Sequence, residues 1–138
     1  MGRNKFDPQP GPFDLAWEGW WGDVPPFHTP VFVLSKYARE SITLSDTTFY
    51  FINATPAEAL AKALAAANGK DVRVGGGVAT LREFLAAGLI DTMHIAVAPM
   101  EMGRGERLWT SPDELLDRFE LEKIQSPSGI VHHFFWRK

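Results

Sequence analysis

Three consecutive glycines at residues 75–77, within the sequence VRVGGGVAT, are the feature of this chain with the clearest chemical meaning. Apolar residues before them predict a strand at residues 71–74, and residues 79–87 predict a helix that Gly88 ends. Backbone amides of a glycine turn and of a helix N-terminus can approach a phosphate closely, and the helix dipole favours its negative charge. The pattern therefore predicts a phosphate-binding turn, although a tight turn that needs positive φ would also use glycine.

The glycine turn matches neither of the two common phosphate fingerprints. No Lys-Ser or Lys-Thr pair follows the glycines, as a P-loop requires. Thr80 stands where the dinucleotide-binding pattern has its third glycine or an alanine. The bound group and its partners must therefore be inferred from other residues.

The elements around this turn predict an α/β domain. The clearest helix has Thr55 as N-cap, Pro56 at its first position and Glu58 completing a capping box. A Ser-Pro-Ser-Gly turn at residues 126–129 predicts a hairpin near the C-terminus. Further strands are predicted at residues 31–34, 47–52, 94–98, 119–124 and 130–136. Strands that first alternate with helices and then form a hairpin predict a mostly parallel sheet with an antiparallel edge.

Residues 7–30 form a long predicted loop, since they hold six of the ten prolines. They also hold three of the five tryptophans, Trp17, Trp20 and Trp21. A disordered linker would not carry so much aromatic surface, so we expect the loop to pack against the domain. Its rings could also wall a substrate pocket, but packing alone explains them.

Composition excludes several classes of protein. The 138 residues with a net charge of -3 predict one domain and argue against nucleic-acid binding. The absence of cysteine excludes disulfides, thiolate metal sites and thiol nucleophiles. No segment resembles a membrane span or a signal peptide, so we expect a cytoplasmic protein.

Histidines and acids give no catalytic pattern. The four histidines are scattered and have no helical ligand spacing, so no metal site is predicted. Asp23, Asp91 and Glu101 are candidate acids that more simply face water or begin a strand. The catalytic residues therefore stay unknown. The histidines are His28, His94, His132 and His133.

Several short motifs together resemble one family. They are Met1-Gly2-Arg3 before a loop, Val33-Leu34-Ser35 at a strand end, the glycines at residues 75–77, Gly88-Leu89-Ile90-Asp91, Ala98-Pro99 and the segment GRGERLW at residues 103–109. In this combination the chain resembles the dihydrofolate-reductase-like superfamily, and most closely the C-terminal reductase domain of the bifunctional riboflavin-biosynthesis deaminase-reductase and its stand-alone relatives. The resemblance implies a three-layer α/β fold, an oxidoreductase that uses NADPH, a small heterocyclic or ribityl-type substrate and a possible homodimer.

The resemblance also implies which residues bind the cofactor. The glycines would contact the pyrophosphate, with the Gly75–Gly76 peptide a candidate for a cis bond, and Lys36 is a candidate for the 2'-phosphate. A solvated lysine after a strand is an equally good explanation of Lys36. The full set of implied cofactor contacts is Gly2, Arg3, Asn4, Leu34, Ser35, Lys36, Gly75, Gly76, Gly77, Val78, Ala79 and Thr80.

The resemblance breaks at the N-terminus. The family's first strand, the helix after it and the second strand, which ends at Met-Gly-Arg, have no counterpart here, so we expect one truncated domain over residues 1–138. Two alternatives to a reductase follow: a non-catalytic remnant that keeps part of the nucleotide cradle, and a module whose sheet another chain completes. The strands at residues 72–74 and 94–98 would flank the gap.

Overall fold

The computed structural model describes residues 1–138, which form two compact units, Met1–Leu89 and Ile90–Lys138. None of its helices combines the length and apolar character needed to cross a membrane.

The first unit contains a three-stranded sheet and three helices. The central strand β3 (Thr47–Ile52) pairs in parallel with β1 (Pro30–Leu34) and antiparallel with β2 (Ile42–Leu44). The helices are α1 (Arg3–Phe6), α2 (Pro56–Ala67) and α3 (Val78–Ala86). The sequence did not predict β2 or α1. Both are too short to show a periodic pattern of apolar residues.

Helix α2 confirms its predicted start. The Thr55 side chain accepts a hydrogen bond from the Glu58 amide, and the Glu58 carboxylate accepts one from the Thr55 amide. The helix ends at Asn68, which adopts a left-handed conformation before Gly69. Local sequence signals therefore determine both ends of this element.

The proline-rich loop packs on this unit, as predicted. Trp21 stacks on Phe49 with ring centroids 5.7 Å apart, and the Trp17 indole donates to the Phe6 carbonyl at 2.7 Å. Phe13 lies edge-on to Phe51 at 4.9 Å. Trp20 is 59% exposed, so the core does not account for every ring. The buried core consists of Phe6, Phe13, Val31, Val33 and Phe49.

The second unit is an antiparallel sheet. Its central strand β6 (Val131–Arg137) pairs with both β4 (Thr92–Val97) and β5 (Phe119–Gln125). A short 3-10 helix, Pro112–Leu115, precedes β5. The predicted hairpin turn between β5 and β6 is confirmed, with the Ser126 amide donating to the Ile130 carbonyl at 2.9 Å.

Two predictions about the sheets differ from the structure. A mostly parallel sheet is not confirmed, because only one of the four strand pairs, β1 with β3, is parallel. The strand predicted at residues 71–74 is not formed. A strand requires a hydrogen-bonded neighbour, and neither edge strand of this sheet, β1 or β2, pairs with residues 71–74, so these residues have apolar strand character without a ladder partner.

Candidate functional site

The glycine turn leads directly into α3. Gly77 is the N-cap residue, has no side chain to cap the helix, and accepts a hydrogen bond from the Leu81 amide at 3.0 Å. Gly76 has φ of +83°, which requires glycine here. The cis peptide lies between Gly76 and Gly77, one bond later than the predicted Gly75–Gly76 position. The first backbone amides of the nine-residue helix α3 therefore come directly after a turn whose residues have no side chains.

Met1 and Gly2 connect this turn to β1. The Gly2 amide donates to the Gly76 carbonyl at 2.8 Å, and the Leu34 amide donates to the Met1 carbonyl at 2.9 Å. Gly2 and Leu34 form an isolated parallel bridge. Residues that are more than 70 positions apart in the sequence therefore meet through backbone hydrogen bonds.

The end of β1 forms the third part of this edge. Ser35 is buried; its amide donates to the Ile52 carbonyl at 2.9 Å, and its hydroxyl accepts from the Tyr37 amide at 3.0 Å. Lys36 is exposed, with its ammonium 5.3 Å from the centre of the Tyr37 ring. The structure thus brings together the three predicted segments at residues 2–4, 34–36 and 75–80. We call this edge the glycine edge, defined by Gly2, Leu34, Ser35 and residues 75–80.

Arg3 lies on α1 but does not have a free guanidinium. It donates to the Gln9 carbonyl, lies 3.5 Å from the Asp7 carboxylate, and stacks over Phe13 at 4.7 Å. Asp7 is itself almost fully buried. These contacts tie Arg3 to the core of the first unit, where it anchors α1.

Lys5 is a residue that the sequence analysis missed. Its ammonium donates to the Gly75 carbonyl at 2.6 Å. In the sequence it is one of several exposed lysines, and no local pattern marks it, because its partner lies 70 residues away. It places a positive charge on the glycine edge.

The Met1 α-amino group lies close to Lys5 and to β1. It donates to the Phe32 carbonyl at 2.6 Å. Burial lowers the pKa of this amino group from 8.0 to about 6, and the nearby Lys5 charge contributes in the same direction. At neutral pH this amino group is therefore largely uncharged, and Lys5 is the group that places a positive charge beside the turn.

A cavity of about 670 Å³ adjoins the glycine edge within the first unit. Its walls come from β1, from one side of α2 and from residues 70–75. Gly75, Thr80 and Lys5 line it together with apolar residues of β1 such as Val31. Its volume is in the range of small-molecule sites.

Of the candidate acids and histidines, His28 lines this cavity. No three histidine or acidic side chains lie close enough to hold a metal ion. His28 contacts the Asp46 carboxylate at 2.8 Å and holds the pKa of that carboxyl below its usual range. His94, His132 and His133 lie on β4 and β6 of the second unit.

A family model described as the RibD C-terminal domain matches residues 17–131. This range includes β1 and the glycine turn but begins after Gly2, so the part played by residues 1–5 rests on their contacts. A comparison with curated proteins found no match.

Among solved structures, a pyrimidine reductase-like protein from Corynebacterium diphtheriae is similar, with a TM-score of 0.51 and 20% sequence identity. The similarity covers 79% of this chain and 50% of that one, so this chain spans about half the length of its neighbour. At that identity the likeness concerns the fold. The family match extends over most of the sequence, and the chain therefore belongs to the RibD C-terminal domain family.

Proposed function

We propose that this chain is a reductase that binds NADPH at the glycine edge and reduces a small heterocyclic or ribityl-type substrate of the riboflavin pathway. The observation that carries the proposal is the convergence of Gly2, Leu34 and Gly76 on one another, in a chain of a nicotinamide-dependent reductase family. A cytoplasmic location and a homodimer stay predictions from the sequence.

The glycine edge fits a pyrophosphate. A Cβ atom built on Gly76 or Gly77 would have no other atom within 4 Å, so the space beside both residues is open to a ligand. The amides that begin α3 lie next to it, and Lys5 supplies charge. NADPH, when bound, supplies the hydride, while the protein binds and orients the cofactor.

Lys36 and Lys5 would have different tasks. Lys36 is exposed at the end of β1 and is our candidate for the 2'-phosphate, which distinguishes NADPH from NADH. Lys5 contacts the glycine turn and would act on the pyrophosphate that both cofactors share. Arg3 is assigned to anchoring α1, because its guanidinium already has protein partners.

A second candidate function is nucleotide binding without turnover. The residues of the glycine edge include no carboxylate or imidazole, and the cavity beside it is lined by only one of each, Asp71 and His28, of which His28 is already paired with Asp46. In addition, residues 71–74 lack a strand partner, which leaves the segment that leads into the glycine turn without a ladder to hold it.

Titration of the 138-residue chain with NADPH, followed by tryptophan fluorescence, tests the binding step. Oxidation of NADPH in the presence of dihydrofolate or of a sugar-substituted pyrimidine tests the reaction. Binding with turnover supports the reductase, and binding without turnover supports the second candidate. A folded chain that binds neither NADPH nor NADH would contradict both.

A further inference from the structure

One edge of strand β1 has no strand beside it over most of its length. The opposite edge pairs with β3, where the Ser35 amide donates to the Ile52 carbonyl. Backbone groups of successive residues in a strand point to opposite edges, so those of Pro30, Phe32 and Leu34 face away from β3. On that free edge neither the Phe32 amide nor the Pro30 carbonyl has a ladder partner.

Met1 and Gly2 show how a further strand would run along this edge. The Met1 amino group donates to the Phe32 carbonyl at 2.6 Å, and the Leu34 amide donates to the Met1 carbonyl at 2.9 Å. On the other side, the Gly2 amide donates to the Gly76 carbonyl at 2.8 Å. The bridge between Gly2 and Leu34 is parallel. These two residues are therefore bonded on both sides, between β1 and the segment that leads into the glycine turn.

Residues 71–74 form the opposite side of the same space. Both they and β1 line the cavity of about 670 Å³. They have no strand partner, yet their exposure alternates: Asp71 and Arg73 are exposed, and Val72 and Val74 are half-buried. Alternation with a period of two is typical of a strand. One extended segment between β1 and these residues would give both of them a ladder neighbour.

Helix α2 leaves room for the side chains of such a segment. Ala59 is the one buried residue among its twelve. Because alanine side chains are short, this wall of the cavity is apolar and leaves space that larger apolar side chains would fill. The residues of α2 that line the cavity are Ala59, Leu60, Ala63, Ala66 and Ala67.

The charges of the lining residues favour a carboxylate at one end. Lys5, Lys70 and Arg73 line the cavity together with a single acidic residue, Asp71. Lys5 lies at the Met1 end, because its charge acts on the Met1 amino group. A segment parallel to β1, as Met1 is, points its C-terminal end toward Met1, which brings a free C-terminal carboxylate near Lys5.

We propose that the space between β1 and residues 71–74, which we call the strand slot, binds an extended peptide of another chain. The peptide runs parallel to β1, carries apolar β-branched side chains and has a free C-terminus. Main-chain hydrogen bonds to both sides hold it, and the alanine wall of α2 receives its apolar side chains. The amides that begin α3 are not part of the strand slot, so the proposal does not depend on cofactor binding.

The experiment is a titration of the full chain with a five-residue peptide of alternating valine and threonine, labelled at its N-terminus and followed by fluorescence anisotropy. Ala63→Phe fills the strand slot from α2, whereas Ala65→Phe places the same ring on an exposed position of α2 outside the cavity lining. We expect an affinity at least about tenfold weaker in Ala63→Phe and unchanged in Ala65→Phe. Amidation of the peptide C-terminus should weaken binding by about twofold to fivefold.

N-methylated peptides distinguish a ladder from simple apolar binding. Amides of successive peptide residues point to β1 and to residues 71–74 in turn, so methylation of either alternate set should abolish binding. Hydrogen exchange of the Phe32 amide should become slower when the parent peptide is bound. These measurements use the unaltered chain and decide the matter if Ala63→Phe does not fold, which circular dichroism shows.

Three results would overturn the proposal. The first is no binding at millimolar peptide. The second is binding that survives methylation of either set or the Ala63→Phe substitution in a folded chain. The third is self-association of the chain that excludes the peptide and that Ala63→Phe abolishes, because the strand slot would then hold a second copy of this chain.

Discussion

Gly2 and Thr80 lie so close that a Cβ atom on Gly2 would stand 2.2 Å from the Thr80 hydroxyl oxygen. No pair of atoms tolerates that distance without movement, so the contact at residue 2 requires glycine. The hydrogen bond from the Gly2 amide to the Gly76 carbonyl also fixes the position of Met1 and Gly2 relative to α3.

Gly2→Ala should therefore destabilise the first unit by about 1–3 kcal/mol, the usual effect of overpacking. Thr80→Ala in the same chain should recover most of the loss, because the atom that clashes is the hydroxyl oxygen. Chemical denaturation of the parent, the two single variants and the double variant measures this coupling. If the two substitutions changed the free energy of unfolding additively, the close approach of residue 2 to the Thr80 hydroxyl would not be the cause of the destabilisation.

Gly76→Val tests the role of the turn. A branched side chain at φ +83° is strained and occupies the space proposed for the pyrophosphate. We expect NADPH affinity to fall by at least about tenfold, or about 1.4 kcal/mol. Gly69→Val is the control, since Gly69 has the same φ but follows α2. If the two folded variants bind NADPH equally well, the glycine turn does not contact the cofactor.

Substitution of Lys36 and substitution of Lys5 should change the affinities for NADPH and NADH in different ways. Lys36→Ala should reduce the preference for NADPH over NADH by weakening NADPH binding alone. Lys5→Met should weaken both cofactors by a similar factor, about fivefold to tenfold, because it acts on the shared pyrophosphate. Fluorescence titrations of the three proteins with both cofactors measure this. Equal affinity of the parent for NADPH and NADH would remove the assignment of Lys36.

The Met1 amino group should make stability depend on pH. Its pKa is about 6 in the folded chain and 8.0 for an exposed amino terminus, so the unfolded state binds more protons between these values. The free energy of unfolding should therefore rise from pH 6 to pH 8, by about 2–3 kcal/mol in total, and be insensitive to this group outside that window. Acetylation of the amino group should flatten the rise. Equal slopes for the acetylated and free chains would contradict the assignment.

Local sequence was sufficient for some elements. Thr55, Pro56 and Glu58 specify the start of α2, and the Ser-Pro-Ser-Gly turn specifies the hairpin of β5 and β6. In both cases the residues that decide the structure lie within a few positions of one another. The three glycines likewise predicted a turn before a helix. The predicted position of the cis peptide bond was wrong by one residue.

The sheets could not be predicted in the same way. Residues 71–74 have the composition of a buried strand, yet a strand forms only where a partner lies beside it. Pairing within each unit places β3 between β1 and β2, and β6 between β4 and β5, so three of the four strand pairs are antiparallel.

The sequence by itself determined the family, the glycine turn, the main helix and the hairpin, because these depend on neighbouring residues. Only the tertiary structure decided that Lys5 donates a hydrogen bond to Gly75, that Arg3 forms an ion pair with Asp7, and that His94 contacts His132. Each of the contacts to Gly75 and His132 joins residues at least 38 positions apart. Such contacts depend on strand register and chain path, which no short pattern of residues encodes.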